Sequence, residues 1–378
     1  MVQLVRNECV ILGSADLEHL YTFENFPVFM GCSDGASSED LYAPMSWWIS
    51  KASGVVQLKE LIPLEVLYPE SHGAGEVGNL WRHHHSAFAD FVHQLAPRSV
   101  FEIGGAHGIL ETEHRKYGEV PWTILEPNPH PTPETKAKFV RGFFDENFQS
   151  DVEFDTVVHS HLFEHVYDPV SFMEALKNFM PEGTNLAFSL PNMAEMLRRK
   201  YTNCINFEHT ILLTEPYIEF LLASHGFEVR RKEYFQEDHS IFFSAVRNPS
   251  TQPLPFPDGL FDLYRELYGD YIRYHEELVS DLNKKIAGLD SPTYLFGAHI
   301  FTQYLIASGL DTSGIVGILD NDRAKHGRRL YGTDLFVSSP AVLRDAGEVN
   351  VVLKAGGYND EIILDILENH NQACVFLP

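Results

Sequence analysis

Residues 99–110 read SVFEIGGAHGIL, a short apolar strand that runs into a glycine-rich turn and then into a helix. Gly104, Gly105 and Gly108 let the backbone turn tightly and approach a ligand closely, which a residue with a Cβ atom allows only at a cost. This strand–turn–helix pattern is typical of the first unit of a nucleotide-binding sheet. Plain strand-to-helix turns share it, so the surrounding sequence must decide between the two interpretations.

Strands and helices alternate after this turn. The run at 154–161 is almost continuously apolar, as expected for a strand that is buried on both faces. The further predicted strands are WTILEP (122–127), KFVRGFF (138–144), FDTVVHSH (154–161), TNLAFSLP (184–191), FEVRRKEYF (227–235) and HSIFFSAVR (239–247). The helix PVSFMEALKNFM and the amphipathic helix TEPYIEFLLASHGF lie between them. The order predicts an α/β fold, a Rossmann-like doubly wound sheet with a mostly parallel core.

The composition divides the chain into three predicted domains. Residues 1–80 are irregular and rich in Gly, Pro, Ser and aromatic residues, which predicts short strands and loops. The alternating pattern fills residues 81–248, and the Pro-rich run at 248–259 marks a boundary. A long helix at 261–289 then opens a second, smaller α/β domain, residues 260–378.

Charge and composition exclude several classes of partner. The 378 residues carry a formal net charge of -25, and no Lys/Arg-rich run occurs that would neutralise the phosphates of a nucleic acid. We find no stretch of about 18 apolar residues that would predict a membrane span, and no signal-peptide pattern. Cys9, Cys32, Cys204 and Cys374 form no CxxC pair, which predicts free thiols in a reducing cytoplasm. Nothing in the pattern indicates an oligomeric state.

The predicted cofactor is S-adenosylmethionine (SAM). Glu126 ends the second strand, 18 residues beyond Gly108, where a carboxylate accepts hydrogen bonds from the ribose hydroxyls of an adenosine. The turn lacks the G-x-G-x-x-G spacing that seats a pyrophosphate, and SAM has no phosphate to seat. Phe143 and Phe144 are candidates to flank the adenine, although such rings often belong to the core. The predicted cofactor-binding residues are Glu102, Gly104, Gly105, Gly108, Glu126, Pro127, Phe144 and His161.

Four stretches together resemble SAM-dependent methyltransferases. They are EIGGAHGIL (102–110), ILEPN (124–128), FDTVVHSHLFEHVYDP (154–169) and NFEHTILLTEPYIEFLLASHGFEV (206–229). The resemblance is greatest to the three-domain sugar C-methyltransferases, which act on nucleotide-linked keto-deoxysugars, and it spans nearly the whole chain. It implies a class I methyltransferase domain at 81–248 between a zinc-binding N-terminal domain and a C-terminal α/β domain.

The N-terminal domain departs from the family pattern. In the family, two CxxCG pairs hold a zinc ion. Here Cys9 remains, Leu12 takes the second ligand position, and Ser50 and Ser53 replace the second pair. Leucine cannot coordinate zinc and serine hydroxyls are poor ligands, so the domain is expected to persist without its metal. We predict no stoichiometric zinc and no metal site.

Two further expectations follow from that loss. Zinc binding supplies folding free energy, so apolar packing is expected to replace it. The residues expected to do so are Leu12, Val55, Val56 and Leu58. The alternative source of metal ligands is Cys32 together with His72 and His83–His85, whose spacing matches no zinc pattern.

The resemblance implies that Glu208 and His209 lie at the acceptor. His209 would be the base that removes the proton beside a ketone, after which the enolate carbon attacks the SAM methyl group, and Glu208 would orient its ring. An imidazole with an ordinary pKa near 6.5 suits that role. His165 is the third predicted catalytic residue, and a purely structural role remains the alternative for each histidine.

The predicted acceptor contacts are Tyr68, His84 and His239, with the register in the run His83–His85 uncertain by one residue. The acceptor is a small polar molecule, most simply a nucleotide-linked sugar. An O- or N-methyltransferase of another small metabolite fits the same scaffold, because function resides in the site and not the fold. A SAM-binding protein without turnover is the third possibility. The presence of both Glu126 and the Glu208–His209 pair favours an enzyme.

Overall fold

The computed structural model describes residues 4–67 and 78–378. Tyr68 and His72, two residues named above as candidates, lie outside the described residues. Among the described residues, no helix combines the length and apolar character needed to cross a membrane.

The N-terminal part is built on an antiparallel sheet of three strands in the order β2-β4-β5, and β1 pairs with β6. Its elements are β1 (Leu4–Val5), β2 (Leu17–Pro27), β3 (Cys32–Ser33), β4 (Tyr42–Ser50), β5 (Val56–Leu58), β6 (Glu60–Leu61) and α1 (Leu64–Leu67). With strands of 11 and 9 residues, this part is more regular than the sequence predicted. Alternate side chains of β4, such as Trp47 and Ile49, are fully buried, as a sheet with one covered face requires.

The central part forms a seven-stranded sheet in the order β12-β13-β11-β10-β7-β8-β9. Its elements are α2 (Asn79–His93), β7 (Val100–Ile103), α3 (Ile109–His114), β8 (Trp122–Glu126), β9 (Lys138–Arg141), β10 (Thr156–Ser160), α4 (Pro169–Phe179), β11 (Asn185–Pro191), α5 (Met193–Arg198), α6 (Glu215–Ser224), β12 (Phe227–Phe235) and β13 (Ser240–Arg247). β13 runs antiparallel to β11 and β12, and the pairs from β11 to β9 are parallel. The predicted Rossmann-like α/β fold is confirmed.

The strand order reverses at β7, because the chain first builds outward through β8 and β9 and then returns to place β10 on the other side. Such a switch point leaves a crevice at the carboxyl ends of the strands, and ligands of α/β sheets bind there. The strand predicted at 138–144 ends earlier, at Arg141, because the backbone bends at Gly142.

The C-terminal part contains a parallel five-stranded sheet in the order β17-β15-β14-β18-β19. Its elements are α7 (Leu260–Ile286), β14 (Thr293–Phe296), α8 (Ile300–Ala307), β15 (Ile315–Leu319), β16 (Arg329–Leu330), β17 (Val337–Ser338), β18 (Val349–Leu353), α9 (Asn359–Asn369) and β19 (Cys374–Leu377). The long helix predicted at 261–289 runs from 260 to 286. It buries Tyr264, Tyr268 and Tyr271, whose spacing of four and three residues lines one helical face.

One apolar core joins the N-terminal sheet, the central sheet and α7. Val55, Val56 and Leu58 are fully buried in it, and their role in replacing a metal by packing stays a prediction. The same expectation for Leu12 is wrong. Its side chain is exposed, because Leu12 sits in the turn that follows Cys9 and faces solvent.

A buried ion pair ties the N-terminal part to the C-terminal part, beside the antiparallel pairing of β3 with β16. The guanidinium of Arg329 donates to both carboxylate oxygens of Asp40, at 2.5 and 2.7 Å, and the N–H of Gly332 donates to Oδ2 at 2.7 Å. The two side chains are only 6% and 2% exposed. Such a pair is costly to break, because removing one partner leaves the other charge buried and uncompensated.

We expect Arg329→Ala to lower the free energy of unfolding by about 3 kcal/mol, since the carboxylate of Asp40 would lose its counter-charge. Urea denaturation followed by circular dichroism measures this change. Arg328→Ala is the matched control, because the pair of Arg328 with Asp34 is 37% and 79% exposed and is worth less than about 1 kcal/mol. Equal effects of the two substitutions would contradict the assignment.

Candidate active site

The glycine turn after β7 has the tight backbone that the sequence predicted. Gly104 and Gly108 adopt left-handed conformations, with φ of +78° and +72°. At Gly105 a Cβ atom would lie 2.5 Å from the carboxyl carbon of Glu102, which leaves no room for any other residue. The turn is therefore packed directly onto the side chain of the strand below it.

Glu102 supports this turn from inside the sheet. Its Oε2 accepts a hydrogen bond of 2.6 Å from the indole N–H of Trp122. Burial raises the pKa of Glu102 to about 7, and the neighbouring carboxylates of Glu111 and Glu126 act in the same direction. The observed contacts of Glu102 are thus with the turn and the core, so a direct contact with the cofactor stays a prediction.

Glu126 lies at the carboxyl end of β8, next to the turn. Its Oε1 accepts a hydrogen bond of 3.0 Å from the backbone N–H of Asn128, and burial raises its pKa. The loop that follows Pro127 folds back over the turn, where the N–H groups of His130 and Thr132 donate to the carbonyls of Ala106 and His107 at 2.9 and 3.0 Å. The predicted ribose acceptor and the glycine turn therefore form one connected unit.

The two candidate adenine-flanking rings have different surroundings. Phe144 packs among aromatic rings, with centroids 5.3 Å from Phe179 and 5.8 Å from both Phe148 and Phe172. Phe143 is 65% exposed. Phe144 thus belongs to an aromatic cluster beside the sheet, and its contact with adenine stays a prediction.

Three histidines meet at the carboxyl edge on the other side of β7. His84 lies on α2, His161 follows β10 with a left-handed φ of +49°, and His239 precedes β13. One ring nitrogen of each lies within 4.8 Å of those of the other two. We call this group the three-histidine cluster. It brings His161, predicted at the cofactor, together with the two predicted acceptor contacts.

The three histidines of the run at 83–85 differ in burial. His84 is fully buried, whereas His83 is exposed. Burial, together with the charges of His161, His239 and His85, lowers the pKa of His84 well below its ordinary value. Burial lowers the pKa of His239 to about 3. Both rings are therefore neutral at neutral pH.

A second group of titratable side chains adjoins this cluster, formed by Glu164, His165, Glu208 and His209. The carboxylate of Glu164 lies 3.2 Å from Nδ1 of His161 and 3.8 Å from Nε2 of His165. Burial raises the pKa of Glu164, but the hydrogen bond from His161 and the nearby histidine charges outweigh it and lower the pKa to about 2. Nδ1 of His165 lies 3.7 Å from Oε2 of Glu208. His165 therefore sits between two carboxylates.

The ring of His209 is held by its own loop. Its Nδ1 lies 3.1 Å from the carbonyl oxygen of Cys204 and 3.2 Å from Nδ2 of Asn206, and its backbone N–H donates to Oδ1 of Asn206 at 2.8 Å. Burial, followed by the charge of His165, lowers the pKa of His209 to about 4. The expectation of an ordinary pKa is therefore wrong, because the surrounding protein desolvates this half-buried ring and His165 lies beside it. Asn206 carried no signal in the sequence.

The N-terminal part fixes this loop from the outside. The backbone of β5 pairs with the segment after His209, where the N–H of Leu58 donates to the carbonyl of Thr210 at 2.9 Å. The buried guanidinium of Arg6 donates to the same carbonyl at 2.8 Å and to the carbonyl of Tyr167 at 2.5 Å. Burial lowers the pKa of Arg6 to about 10, which leaves it charged at neutral pH. Arg6 thus joins the segments that carry His165 and His209.

The four positions that hold zinc in the resembled family also come together here. Sγ of Cys9 lies 3.2 Å from Oγ of Ser53, and the backbone N–H of Leu12 points to that sulfur at 3.5 Å. Oγ of Ser50 donates to Asp16 at 2.9 Å. A hydrogen-bonded cluster thus occupies the site. One thiol with two hydroxyls does not fit a structural zinc ion.

Comparison with known proteins gives one family match. Residues 80–232 match the family model described as a methyltransferase domain. The comparison with curated proteins gives no match. Together with the sheet order, the family match shows that residues 80–232 form a SAM-dependent methyltransferase domain of the Rossmann-like class I.

Three solved structures are similar to part of this chain. An O-methyltransferase family protein from Burkholderia thailandensis is 12% identical with a TM-score of 0.36, and the match covers 45% of this chain and 57% of that chain. Magnesium protoporphyrin IX methyltransferase (ChlM) from Synechocystis PCC 6803 with bound SAH is 14% identical, with a TM-score of 0.36 and coverage of 47% and 90%. N-methyltransferase NodS from Bradyrhizobium japonicum WM9, in complex with S-adenosyl-L-homocysteine (SAH), is 12% identical, with a TM-score of 0.35 and coverage of 47% and 92%. Similarity of this degree carries no argument about the acceptor.

The buried carboxyl of Glu102 predicts a dependence of stability on pH. Because its pKa rises from 4.5 to about 7 on folding, the folded protein retains a proton that the unfolded chain releases. The stabilisation that comes from this retained proton is complete below pH 4.5 and is lost as the pH rises through 7. Between pH 5 and pH 8, we expect the free energy of unfolding of Glu102→Gln to rise by up to about 3 kcal/mol relative to that of the wild type, as measured by urea denaturation.

Glu134→Gln is the control, since Glu134 is exposed on the loop after β8. Its stability relative to the wild type should not change with pH. A constant difference between Glu102→Gln and the wild type over the same range would show that Glu102 folds without holding the proton.

Proposed function

We propose that this chain transfers the methyl group of SAM to a small polar acceptor, with His209 as the base that removes the acceptor's proton. The observation that carries this proposal is the position of the His209 ring. It lies in a loop at the carboxyl edge of the sheet that also carries the glycine turn and Glu126, and its Nδ1 is 3.1 Å from a backbone carbonyl.

The cofactor would bind on the β7–β8 side of the switch point. In this proposal the turn of Gly104, Gly105 and Gly108 faces the methionine moiety, and Glu126 accepts hydrogen bonds from the ribose hydroxyls. Pro127 and Phe144 complete the adenosine site as predicted from the sequence. The division into domains at 1–80, 81–248 and 260–378 is part of the proposal, and it assigns the reaction to the central domain.

The tautomer of His209 determines which of its ring nitrogens can act as the base. When Nδ1 carries the proton and donates it to the carbonyl of Cys204, the lone pair of Nε2 is free to accept a proton. The acceptor atom then uses the electron pair that it retains to form a bond with the methyl carbon, while the carbon–sulfur bond of SAM breaks and SAH leaves. The nearby carboxylates of Glu164 and Glu208 stabilise the imidazolium that forms.

The acceptor in this proposal is a nucleotide-linked sugar that is methylated at carbon next to a ketone. Its support is the resemblance to the sugar C-methyltransferases, which spans nearly the whole chain and includes the Glu208–His209 pair. His84, His239 and Tyr68 are the proposed acceptor contacts. One observation favours O-methylation as the second candidate. The lowered pKa of His209 makes it a weak base for a carbon acid, whereas a hydroxyl proton can leave in concert with methyl transfer.

We expect His209→Gln to reduce kcat by at least about 100-fold, the usual contribution of a general base, while the affinity for SAH stays unchanged. Transfer of labelled methyl groups from SAM to nucleotide-linked keto-deoxysugars, and to the corresponding hydroxyl sugars, measures kcat. Calorimetry measures the affinity. His19→Gln is the matched control, because His19 is exposed on β2 in the N-terminal sheet.

Exchange of the acceptor's α-proton in deuterated water, without SAM, separates the two candidates. A C-methyltransferase catalyses this exchange and an O-methyltransferase does not. Full turnover by His209→Gln with normal SAH affinity would refute the role of His209 as base.

A further inference from the structure

We propose that the three-histidine cluster, His84, His161 and His239, is a binding site for a divalent transition metal ion such as Zn²⁺. This inference does not depend on the identity of the acceptor or on methyl transfer. It concerns residues outside the N-terminal positions that hold zinc in the resembled family.

The three imidazoles converge from separate parts of the chain. His84 is carried by a helix, His161 follows a central strand and His239 precedes an antiparallel strand. One ring nitrogen of each lies within 4.8 Å of the others. Zinc–nitrogen bonds of about 2.0–2.1 Å place ligand nitrogens roughly 3–4 Å apart, so side-chain shifts of about an ångström close the site.

Each ring is held by its other nitrogen, which is the arrangement expected around a metal site. Nε2 of His84 is 2.8 Å from Oγ of Ser189, and Nδ1 of His239 is 2.7 Å from Oγ of Ser240. Nδ1 of His161 lies 3.2 Å from the carboxylate of Glu164, which matches the carboxylate–histidine–metal pattern. In this proposal the coordinating atoms are Nδ1 of His84, Nε2 of His161 and Nε2 of His239.

The atom that points most strongly to a missing ligand is Nδ1 of His84. It is buried and has no hydrogen-bond partner within the part of the chain that the structure describes. An unpaired buried ring nitrogen costs free energy, and a metal ion would remove that cost. Nε2 of His161 also lies 3.0 Å from Oγ of Ser240, and the same hydroxyl contacts His239. When the ring of His161 turns toward a metal ion, this hydroxyl can keep its contact with His239.

Aromatic side chains enclose the cluster. The ring of Trp81 lies edge-on to all three imidazoles, with centroids 5.2, 4.9 and 5.0 Å from His84, His161 and His239. Phe235 is 5.4 Å from both His84 and His239. Such walls restrict the access of water and strengthen the interaction of an ion with its ligands.

The donor set selects the class of metal. Three imidazole ligands suit zinc, cobalt, nickel, copper or iron, whereas magnesium and calcium require oxygen ligands. Three protein ligands leave a fourth position for water or another oxygen ligand, as in catalytic zinc sites. The proposal departs from the sequence-based expectation of no metal, which rested on the replaced ligands at Leu12, Ser50 and Ser53.

The test uses the full chain after removal of metal with a chelator. Titration with Co²⁺ reports coordination through its visible absorption, and competition with Zn²⁺ gives the zinc affinity. We expect one ion per chain, with an absorption band typical of nitrogen ligands. His84→Gln and His239→Gln should each weaken binding by at least about 100-fold.

Two controls keep the experiment decisive. His83→Gln changes the exposed neighbour of His84 on the same helix, and Cys9→Ser removes the remaining thiol of the N-terminal cluster. Both should bind the metal as the wild type does. His239→Gln alters a half-buried loop residue, so it tests the site even when His84→Gln fails to fold, which circular dichroism detects.

The absence of stoichiometric binding to the wild type would overturn the proposal. Binding that persists in His239→Gln but is lost in Cys9→Ser would overturn it too, because it would move the metal to the N-terminal cluster. These outcomes are read without methyl transfer, so they leave the proposed function to its own test.

Discussion

The carboxyl edge of a parallel sheet is the constraint on which the rest of this structure depends. Strands β7, β8, β10 and β11 all end at that edge, and the order reverses at β7, so loops from distant parts of the sequence must meet there. The glycine turn and Glu126 lie on one side of the reversal. The histidines that follow β10, His161 and His165, lie on the other.

The proposed acceptor side is not completed by the sheet alone. The loop that carries His209 pairs with β5 of the N-terminal sheet, and Arg6 donates to the carbonyl groups of Tyr167 and Thr210. A buried guanidinium is stable only with such partners, so it fixes the two segments relative to each other. At the four positions that hold zinc in the resembled family, the N-terminal part carries only one cysteine, yet its packing and hydrogen bonds support this loop.

Patterns of local residues predicted the sheet, the glycine turn and Glu126, because strand periodicity and glycine spacing are read directly along the chain. The partners of the histidines could not be predicted in that way. Asn206 beside His209, Ser240 between His161 and His239, and Arg6 across the domains depend on contacts between segments far apart in sequence. The lowered pKa of His209 follows from burial, which the residue type does not indicate. The exposed side chain of Leu12 likewise depends on the direction of a single turn.

The central claim is that the glycine turn and Glu126 hold the adenosine of the cofactor. Calorimetric titration of SAH into the wild type and into Glu126→Gln tests it directly, with exposed Glu119→Gln as the control. Hydrogen bonds to a buried carboxylate are worth about 1.5–3 kcal/mol, so the account predicts binding by the wild type and a roughly 10- to 100-fold weaker affinity for Glu126→Gln. No binding by the wild type, or equal affinities of the two proteins, would contradict it.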